Sequence, residues 1–100
     1  MTLDIDAIHK ALANPVRREI LGRLREPYAH FGDQQLPLDY GVCAGKIEGQ
    51  CGLSQSTVSA HLAALQRAGL VTSKRVGQWV FFKRNEAAIQ AFLEHINTKL

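Results

Sequence analysis

The run LSQSTVSAHLAALQRAGL, from Leu53 to Leu70, constrains the fold more than any other feature of the chain. It begins with small polar residues that compete with helical hydrogen bonds and continues as amphipathic helical sequence. Ser54 is a suitable N-cap, and Gly69 stands where a helix-terminating glycine belongs. Three apolar residues at helical spacing mark the side expected to be buried: Val58, Leu62 and Leu65. The run therefore predicts a helix whose exposed side starts with short polar groups.

After Leu70 the pattern changes to one typical of strands. The segment LVTSKRVGQWVFFKR is rich in β-branched and aromatic residues, and Gly77 can supply the positive φ of a tight turn. We predict a β-hairpin with strands Leu70–Val76 and Gln78–Lys83. Two pairs of residues alternate along the second strand, and at least one pair is expected to pack in the core against the last helix: Trp79 with Phe81, and Val80 with Phe82.

Two helices are predicted before this unit. The first follows apolar spacing up to the break at Asn14, and the second begins at Pro15 and ends at Pro27. Their apolar stripes are Leu3, Ile5, Ile8 and Leu12, and then Val16, Ile20, Leu21 and Leu24. The segment Glu26–Gly41 has two prolines and no clear period, which predicts a long loop.

A short helix around Ala44–Glu48 and a turn at Gly49–Gly52 are predicted to lead into the Leu53–Leu70 helix. Asn85 is predicted to cap a last helix with the apolar stripe Ile89, Phe92, Leu93, Ile96 and Leu100. A short helix, a tight turn and a longer helix form a helix-turn-helix, and the hairpin makes it winged. The predicted fold is mainly α with a β-hairpin wing (α+β), in the order α-α-α-α-β-β-α, with residues 1–100 as one domain.

The charge of the chain, +3 in total, is unevenly distributed. No Asp or Glu occurs between Gly49 and Asn85, where five basic residues fall: Arg67, Lys74, Arg75, Lys83 and Arg84. A polyanion is the natural partner of such a surface. From charge alone, a solvated basic face without a partner stays an equal alternative.

The exposed side of the predicted Leu53–Leu70 helix suits the major groove of double-stranded DNA. Short side chains let a helix enter the groove, Ser and Thr bond phosphates or base edges, and Gln pairs with adenine. The helix N-terminus adds backbone donors for a phosphate. Predicted groove contacts are Gln55, Ser56, Thr57, Ser59 and His61, the last at the edge of the apolar stripe, where it reaches either DNA or a core partner. Predicted backbone contacts are Arg67, Lys74, Arg75 and Arg84. A capped helix start without a partner and an aromatic platform for single strands are the weaker alternatives.

Three segments together resemble the ArsR/SmtB family of winged-helix transcriptional repressors: ALANPVRREILGRL, LSQSTVSAHLAALQRAGLV and KRVGQWVFFK. The resemblance runs from Ile8 to about Phe92, with Glu26–Gly41 as an expansion. It implies a homodimer, joined through the first and last helices, that binds a palindromic operator and leaves it when an inducer binds. These two helices carry more apolar residues than one small core needs, which a dimer interface would explain.

Metal-sensing members of this family carry a Cys-Val-Cys box at the short helix. Here Cys43 matches the first thiolate and Gly45 replaces the second, while the metal ligands on the last helix of other members have no match at the right spacing. A soft-metal site needs three or four such donors, so we predict no metal and no cofactor. A site assembled from Cys43, His30 and Asp39 stays an alternative.

Thiol oxidation at Cys43 and Cys51 is the predicted inducing signal. Two cysteines are too few for a disulfide framework, which agrees with a reducing compartment. Cys43 lies beside the predicted loop, whereas a buried structural role is expected for Cys51. If the intervening segment is helical, its ends lie roughly 12 Å apart, and closing a disulfide, which needs Cα atoms within about 7 Å, would distort it. An organic ligand, another protein and no inducer at all stay open.

Other classes of protein fit the chain less well. Its Cys and His residues lie in no recognisable catalytic context, so we predict that it is not an enzyme. No apolar run approaches the ~20 residues that span a bilayer, and acids stand where a signal peptide carries basic residues. We therefore expect a cytoplasmic protein without a membrane partner. A winged helix used only for protein contacts would carry acidic or large apolar residues on its exposed recognition face, which this chain lacks.

Overall fold

The computed structural model describes residues 3–100 as one α+β unit. Its elements, in chain order, are α1 (Ile5–Leu12), α2 (Pro15–Arg25), α3 (Pro27–Phe31), a 3-10 turn (Leu38–Tyr40), β1 (Val42–Cys43), α4 (Ala44–Cys51), α5 (Gln55–Arg67), β2 (Val71–Val76), β3 (Trp79–Arg84) and α6 (Glu86–Lys99). Helices α4 and α5 form the helix-turn-helix, and β2 and β3 form the hairpin beside it. The predicted mainly α fold with a β-hairpin wing is confirmed.

The helix and hairpin boundaries follow local chemistry. Asn14, Ser54 and Asn85 each accept hydrogen bonds from backbone N–H groups in the first turn of α2, α5 and α6. These bonds satisfy donors that a helix start leaves unpaired. Gly69 after α5 and Gly77 between β2 and β3 adopt φ values of 79° and 61°, which glycine tolerates without strain. All five predicted boundary residues are confirmed in these positions.

The hydrophobic core lies between the helices and one face of the sheet. The side chains of this core that are at most 2% exposed are Ile8, Ile20, Phe31, Val42, Ile47, Val58, Leu65, Leu70 and Val71. On α5 the predicted stripe of Val58, Leu62 and Leu65 is at most 3% exposed. Because this stripe faces the core, the opposite side of α5 is directed to solvent.

The hairpin belongs to a three-stranded antiparallel sheet in the order β1-β3-β2. The two-residue strand β1 was not predicted, because a segment that short has no period to detect. Side chains alternate between the two faces of a strand, so Phe82 enters the core while Phe81 lies on the outer face. Both phenylalanines are buried, at 8% and 1% exposure, whereas Trp79 is 43% exposed.

The prediction that one pair of these strand residues lies in the core is confirmed for Phe82, which belongs to one core cluster with Phe92 of the last helix, and for Val80, which packs against that cluster. β3 packs mainly against α2 and α4 on the core side. On the outer face the ring of Tyr40 meets Phe81 edge-to-face, with 5.5 Å between centroids. Alternation identifies which residues are buried, but it does not identify the element that covers them.

The segment Glu26–Gly41 is more ordered than the predicted loop. Pro27 not only ends α2 but opens α3, at the first helical position where proline costs no hydrogen bond. Phe31 at the end of α3 is 1% exposed and belongs to the core. The packing of this one aromatic side chain stabilises a turn of helix that has no periodicity of its own.

The turn of the helix-turn-helix is shorter than predicted. α4 continues past Glu48 to Cys51, and of the predicted turn residues Gly49–Gly52 only Gly52 lies outside the helix, in the left-handed conformation. A glycine inside a helix costs about 1 kcal/mol relative to alanine. Burial of Ile47, 2% exposed, holds the helix through that position. Cys51 is therefore a helical residue and not a turn residue.

The apolar stripes of α1 and α6 are partly used within one chain. Ile8 and Phe92 are buried, while Leu93 is 52% and Leu100 is 96% exposed. The apolar excess predicted for these helices therefore remains on α6, although it is smaller than the sequence suggested.

Candidate nucleic-acid interface

The first turns of α5 form a small polar surface. Gln55, Ser56, Thr57 and Ser59 are all exposed, as predicted for groove contacts. The Ser54 hydroxyl caps the helix and lies 2.7 Å from the Thr57 hydroxyl and 3.3 Å from that of Ser56. The buried stripe on the other side of α5 fixes the direction of this surface. These hydroxyl groups and the Gln55 amide can form hydrogen bonds, as donors or acceptors, with base edges and phosphates.

His61 is hydrogen-bonded to Arg17, a residue that the sequence analysis did not single out. The Arg17 side chain donates from Nε to His61 Nδ1 at 3.1 Å, across from α2. A histidine nitrogen that accepts carries no proton, so the neutral ring bears its proton on Nε2. The half-buried imidazole therefore keeps only its Nε2–H for a further partner. Its role as a groove contact stays a prediction.

The wing stands beside α5 and is joined to it. Gln66 near the end of α5 donates from Nε2 to the Ser73 hydroxyl of β2 at 2.9 Å. Lys74 and Arg75 follow on the same strand, both exposed, and as neighbours they point to opposite faces of the sheet. The sequence did not predict this hydrogen bond, because Gln66 and Ser73 are both exposed polar residues and follow no local pattern.

Arg84 differs from the other predicted backbone contacts. Its side chain is only 15% exposed and forms a two-pronged ion pair with Glu86, with N–O distances of 3.0 Å. It also donates to the carbonyl oxygen of Leu21 at 3.3 Å. The prediction that it contacts the DNA backbone does not fit this position, since its donors join β3 to α2 and α6. Arg67, Lys74 and Arg75 remain exposed.

The two cysteines lie at opposite ends of α4 and are free thiols. Cys43 precedes the helix on β1, and its backbone N–H donates to the Gln34 side chain at 2.8 Å. A groove of about 520 Å³ opens beside it, between the 33–36 segment and Trp79. Cys51 packs against the core, and burial raises the pKa of its thiol above the ordinary value. A raised pKa keeps the Cys51 thiol protonated at neutral pH, and a protonated thiol is a poor nucleophile.

Neither a metal site nor a membrane segment is present in residues 3–100. This part of the chain brings together no group of three or more His, Cys, Asp and Glu side chains able to hold a metal ion. The alternative site from Cys43, His30 and Asp39 is therefore not assembled. No helix within the described residues has the length and apolar character needed to cross a membrane.

Comparison with known proteins gives consistent matches. Residues 42–73 match the family model described as "Bacterial regulatory protein, arsR family". The Bacillus subtilis protein named as the HTH-type transcriptional regulator YbzH is 36% identical over 96 residues, which cover 93% of this chain and 95% of that protein. The transcriptional activator HlyU of Vibrio cholerae is 34% identical over 85 residues, covering 85% of this chain and 67% of HlyU.

A solved structure extends the match to the whole fold. The homodimeric winged helix-turn-helix DNA-binding domain of Mb0332 from Mycobacterium bovis superimposes with a TM-score of 0.66 at 25% identity. The alignment covers 94% of this chain and 76% of that one.

Proposed function

The chain belongs to the ArsR family of bacterial transcription regulators, and from this premise we propose that it is a dimeric repressor of a palindromic operator in double-stranded DNA. One observation carries the proposal: the helix α5 that exposes a polar surface at its start is joined at its other end, by the bond from Gln66 to Ser73, to the wing strand that exposes Lys74 and Arg75. No acidic residue occurs between Gly49 and Asn85 to repel phosphates from this surface. A DNA-binding regulator acts in the cytoplasm, where we place this protein.

In this proposal the contacts divide by chemistry. Base edges are read by the exposed polar side chains at the start of α5, Gln55, Ser56, Thr57 and Ser59, together with the Nε2–H of His61. The phosphate backbone is held by Arg67, Lys74 and Arg75. Arg84 stabilises the fold at the end of the wing and is not included.

The proposed dimer is supported by the uncovered side of α6. Leu93 and Leu100 remain exposed in one chain, and a second copy would bury them. Mb0332, which has the same fold, is described as homodimeric. Two α5 helices in a two-fold dimer reach successive major grooves when they stand about 34 Å apart, which accounts for a palindromic operator.

The family resemblance implies that the protein represses transcription, whereas one relative, HlyU, is named as an activator. Deleting the protein should raise transcription from its own operator-bearing promoter, and restoring it should lower transcription again. A fall on deletion would make the protein an activator while leaving its DNA binding intact.

Arg75→Ala and Gln55→Ala should affect DNA binding in different ways. The arginine contacts phosphates, so its loss should weaken binding to every sequence and reduce the slope of log K against log salt by about 1 per protomer. The glutamine reads a base, so its loss should relax preference at single operator positions by about 1–3 kcal/mol with little change in slope. Fluorescence anisotropy on upstream DNA and its single-base variants, over a range of salt, separates the two. Absence of binding to any upstream fragment would contradict the proposed function.

We further propose thiol oxidation as the inducing signal, because Cys43 and Cys51 bracket the first helix of the helix-turn-helix. Along the eight residues of α4 the two ends stand roughly 12 Å apart. A disulfide between the two cysteines of one chain would therefore unwind α4 and displace α5. In this step the two thiols lose two electrons and two protons, which a peroxide accepts. Hydrogen peroxide is reduced to two water molecules, and an organic peroxide to one water molecule and an alcohol.

Mild peroxide, with a chelator present, should abolish operator binding, and a reductant should restore it. Cys43→Ser and Cys51→Ser should each make binding indifferent to peroxide, and mass spectrometry should find the disulfide only in the wild type. Release that persists in Cys43→Ser would eliminate the thiol switch and direct attention to organic ligands. Binding that never responds to peroxide would reduce both cysteines to structural residues.

A further inference from the structure

The outer face of the sheet carries a row of side chains, of which the proposed function uses Cys43 and Lys74 but neither Phe81 nor the covering Tyr40. The register pairs Cys43 with Phe81 and Phe81 with Lys74, so these three residues lie side by side across β1, β3 and β2. Tyr40 covers the row: its ring meets Phe81 edge-to-face, and the Lys74 ammonium lies 4.8 Å from the centre of the Tyr40 ring. An ammonium over an aromatic face at this distance is a cation–π contact.

Tyr40 is itself firmly placed by its neighbours. The Gln34 side chain donates to the carbonyl oxygens of Leu36 and Gly41, at 3.0 and 3.2 Å, and accepts from the N–H of Cys43. Gly41 has a φ of 112° and lies so close to β3 that a Cβ atom there would stand 2.6 Å from the Phe82 carbonyl oxygen. The residue after Tyr40 is thus held against the strand, which places the backbone of Tyr40 beside Phe81.

The segment is also tied to the helix-turn-helix. Lys46 of α4 bonds the Asp33 carboxylate at 3.0 Å, and this hydrogen bond and charge hold the pKa of Asp33 below its ordinary value. The pair is exposed, so its contribution to stability is small. The pair nevertheless connects the 26–41 expansion to α4, the first helix of the helix-turn-helix.

We propose that Tyr40 is a positioning residue for DNA binding, whose ring holds the Lys74 ammonium where it meets a phosphate. The inference rests on the proposed function. A lysine has four rotatable bonds, and a free ammonium loses this freedom when it contacts DNA. Tyr40 restricts the side chain before DNA arrives, so that less freedom is lost on binding. Ordering this one side chain before binding should increase affinity about threefold per protomer, or about tenfold for a dimer with two wings.

The test is a double-mutant cycle on operator affinity. Tyr40→Phe keeps the ring, whereas Tyr40→Leu removes it but still covers Phe81 with apolar groups, so that the fold is preserved. Tyr40→Phe should bind as the wild type does, and Tyr40→Leu about tenfold more weakly. In a Lys74→Met background Tyr40→Leu should cause no further loss, because the partner of the ring is gone.

Two outcomes of the cycle would overturn the inference. If Tyr40→Leu weakens binding equally without Lys74, Tyr40 acts through the fold and not through the ammonium. If Tyr40→Leu binds as tightly as the wild type or more tightly, the ring contributes nothing or withholds Lys74 from DNA.

A readout without DNA separates this inference from the proposed function. Reductive methylation of the lysines with a ¹³C label keeps their charge, and the ring current of Tyr40 should shift the Lys74 methyl signal upfield. The shift should remain in Tyr40→Phe and vanish in Tyr40→Leu. Absence of the shift in the wild type would refute the contact itself. If the wild type binds no DNA, the proposed function fails and this inference fails with it; if it binds and the cycle shows no coupling, the inference fails alone.

Discussion

Ser56→Glu is expected to weaken operator binding by about a hundredfold or more without destabilising the protein. Ser56 is exposed in the first turn of α5, where the groove contacts are proposed. A carboxylate there faces phosphates and base acceptors, which repel it, and each dimer would carry two. An acidic residue near a helix N-terminus interacts favourably with the helix dipole, so the helix itself should be slightly more stable.

Two control variants isolate the effect of position and charge. Ser56→Ala removes the hydroxyl without adding charge and should weaken binding only a few-fold. Ala29→Glu adds the same charge at an exposed position of α3, which is not among the proposed contacts, and should change binding little. Anisotropy on operator DNA, with circular dichroism melting of each variant, measures both properties. Equal losses in Ser56→Glu and Ala29→Glu would mean that net charge, and not the α5 surface, governs binding.

Leu65→Ala should lower the free energy of unfolding by about 2–5 kcal/mol. Leu65 is completely buried on α5 and packs within the core. Truncation to alanine removes apolar contacts and leaves a cavity that the surrounding side chains fill only in part. Because α5 takes its direction from this stripe, DNA binding should fall as well under conditions where the variant is partly unfolded.

The matched control is Leu53→Ala, the same chemical change in the turn before α5. Leu53 is 42% exposed, so its truncation should cost under about 1 kcal/mol. Urea unfolding at one fixed protein concentration gives both values, since the stability of a dimer depends on concentration. Similar losses for the two leucines would contradict the placement of α5 against the core.

The recognition helix and the wing could be predicted because their determinants are local. Ser54 caps α5, Gly69 ends it, and Gly77 turns the hairpin. Each of these roles depends on the backbone within a few residues, which is the range over which sequence patterns act. The buried stripe of α5 was likewise predicted from its spacing alone.

Errors arose where packing overrode local preference. Gly49 indicated a turn, but burial of Ile47 keeps α4 helical to Cys51. The aperiodic 26–41 expansion indicated a loop, but Phe31 packs in the core and stabilises α3. In both cases a few buried apolar contacts exceed the ~1 kcal/mol that a propensity can contribute.

The sequence by itself determined the order of the helix-turn-helix and the wing, the basic acid-free segment from Gly49 to Asn85 and the small polar face of α5, because periodicity, capping and charge are properties of neighbouring residues. Only the tertiary structure decided which side chains stay free to act. Arg84 is occupied by Glu86 and Leu21, His61 accepts from Arg17, and Tyr40 holds Lys74. Apart from the nearby Glu86, these partners lie 34 to 63 residues away along the chain. Contacts between residues that far apart leave no periodic trace, so their partners become identifiable only when folding has brought them together.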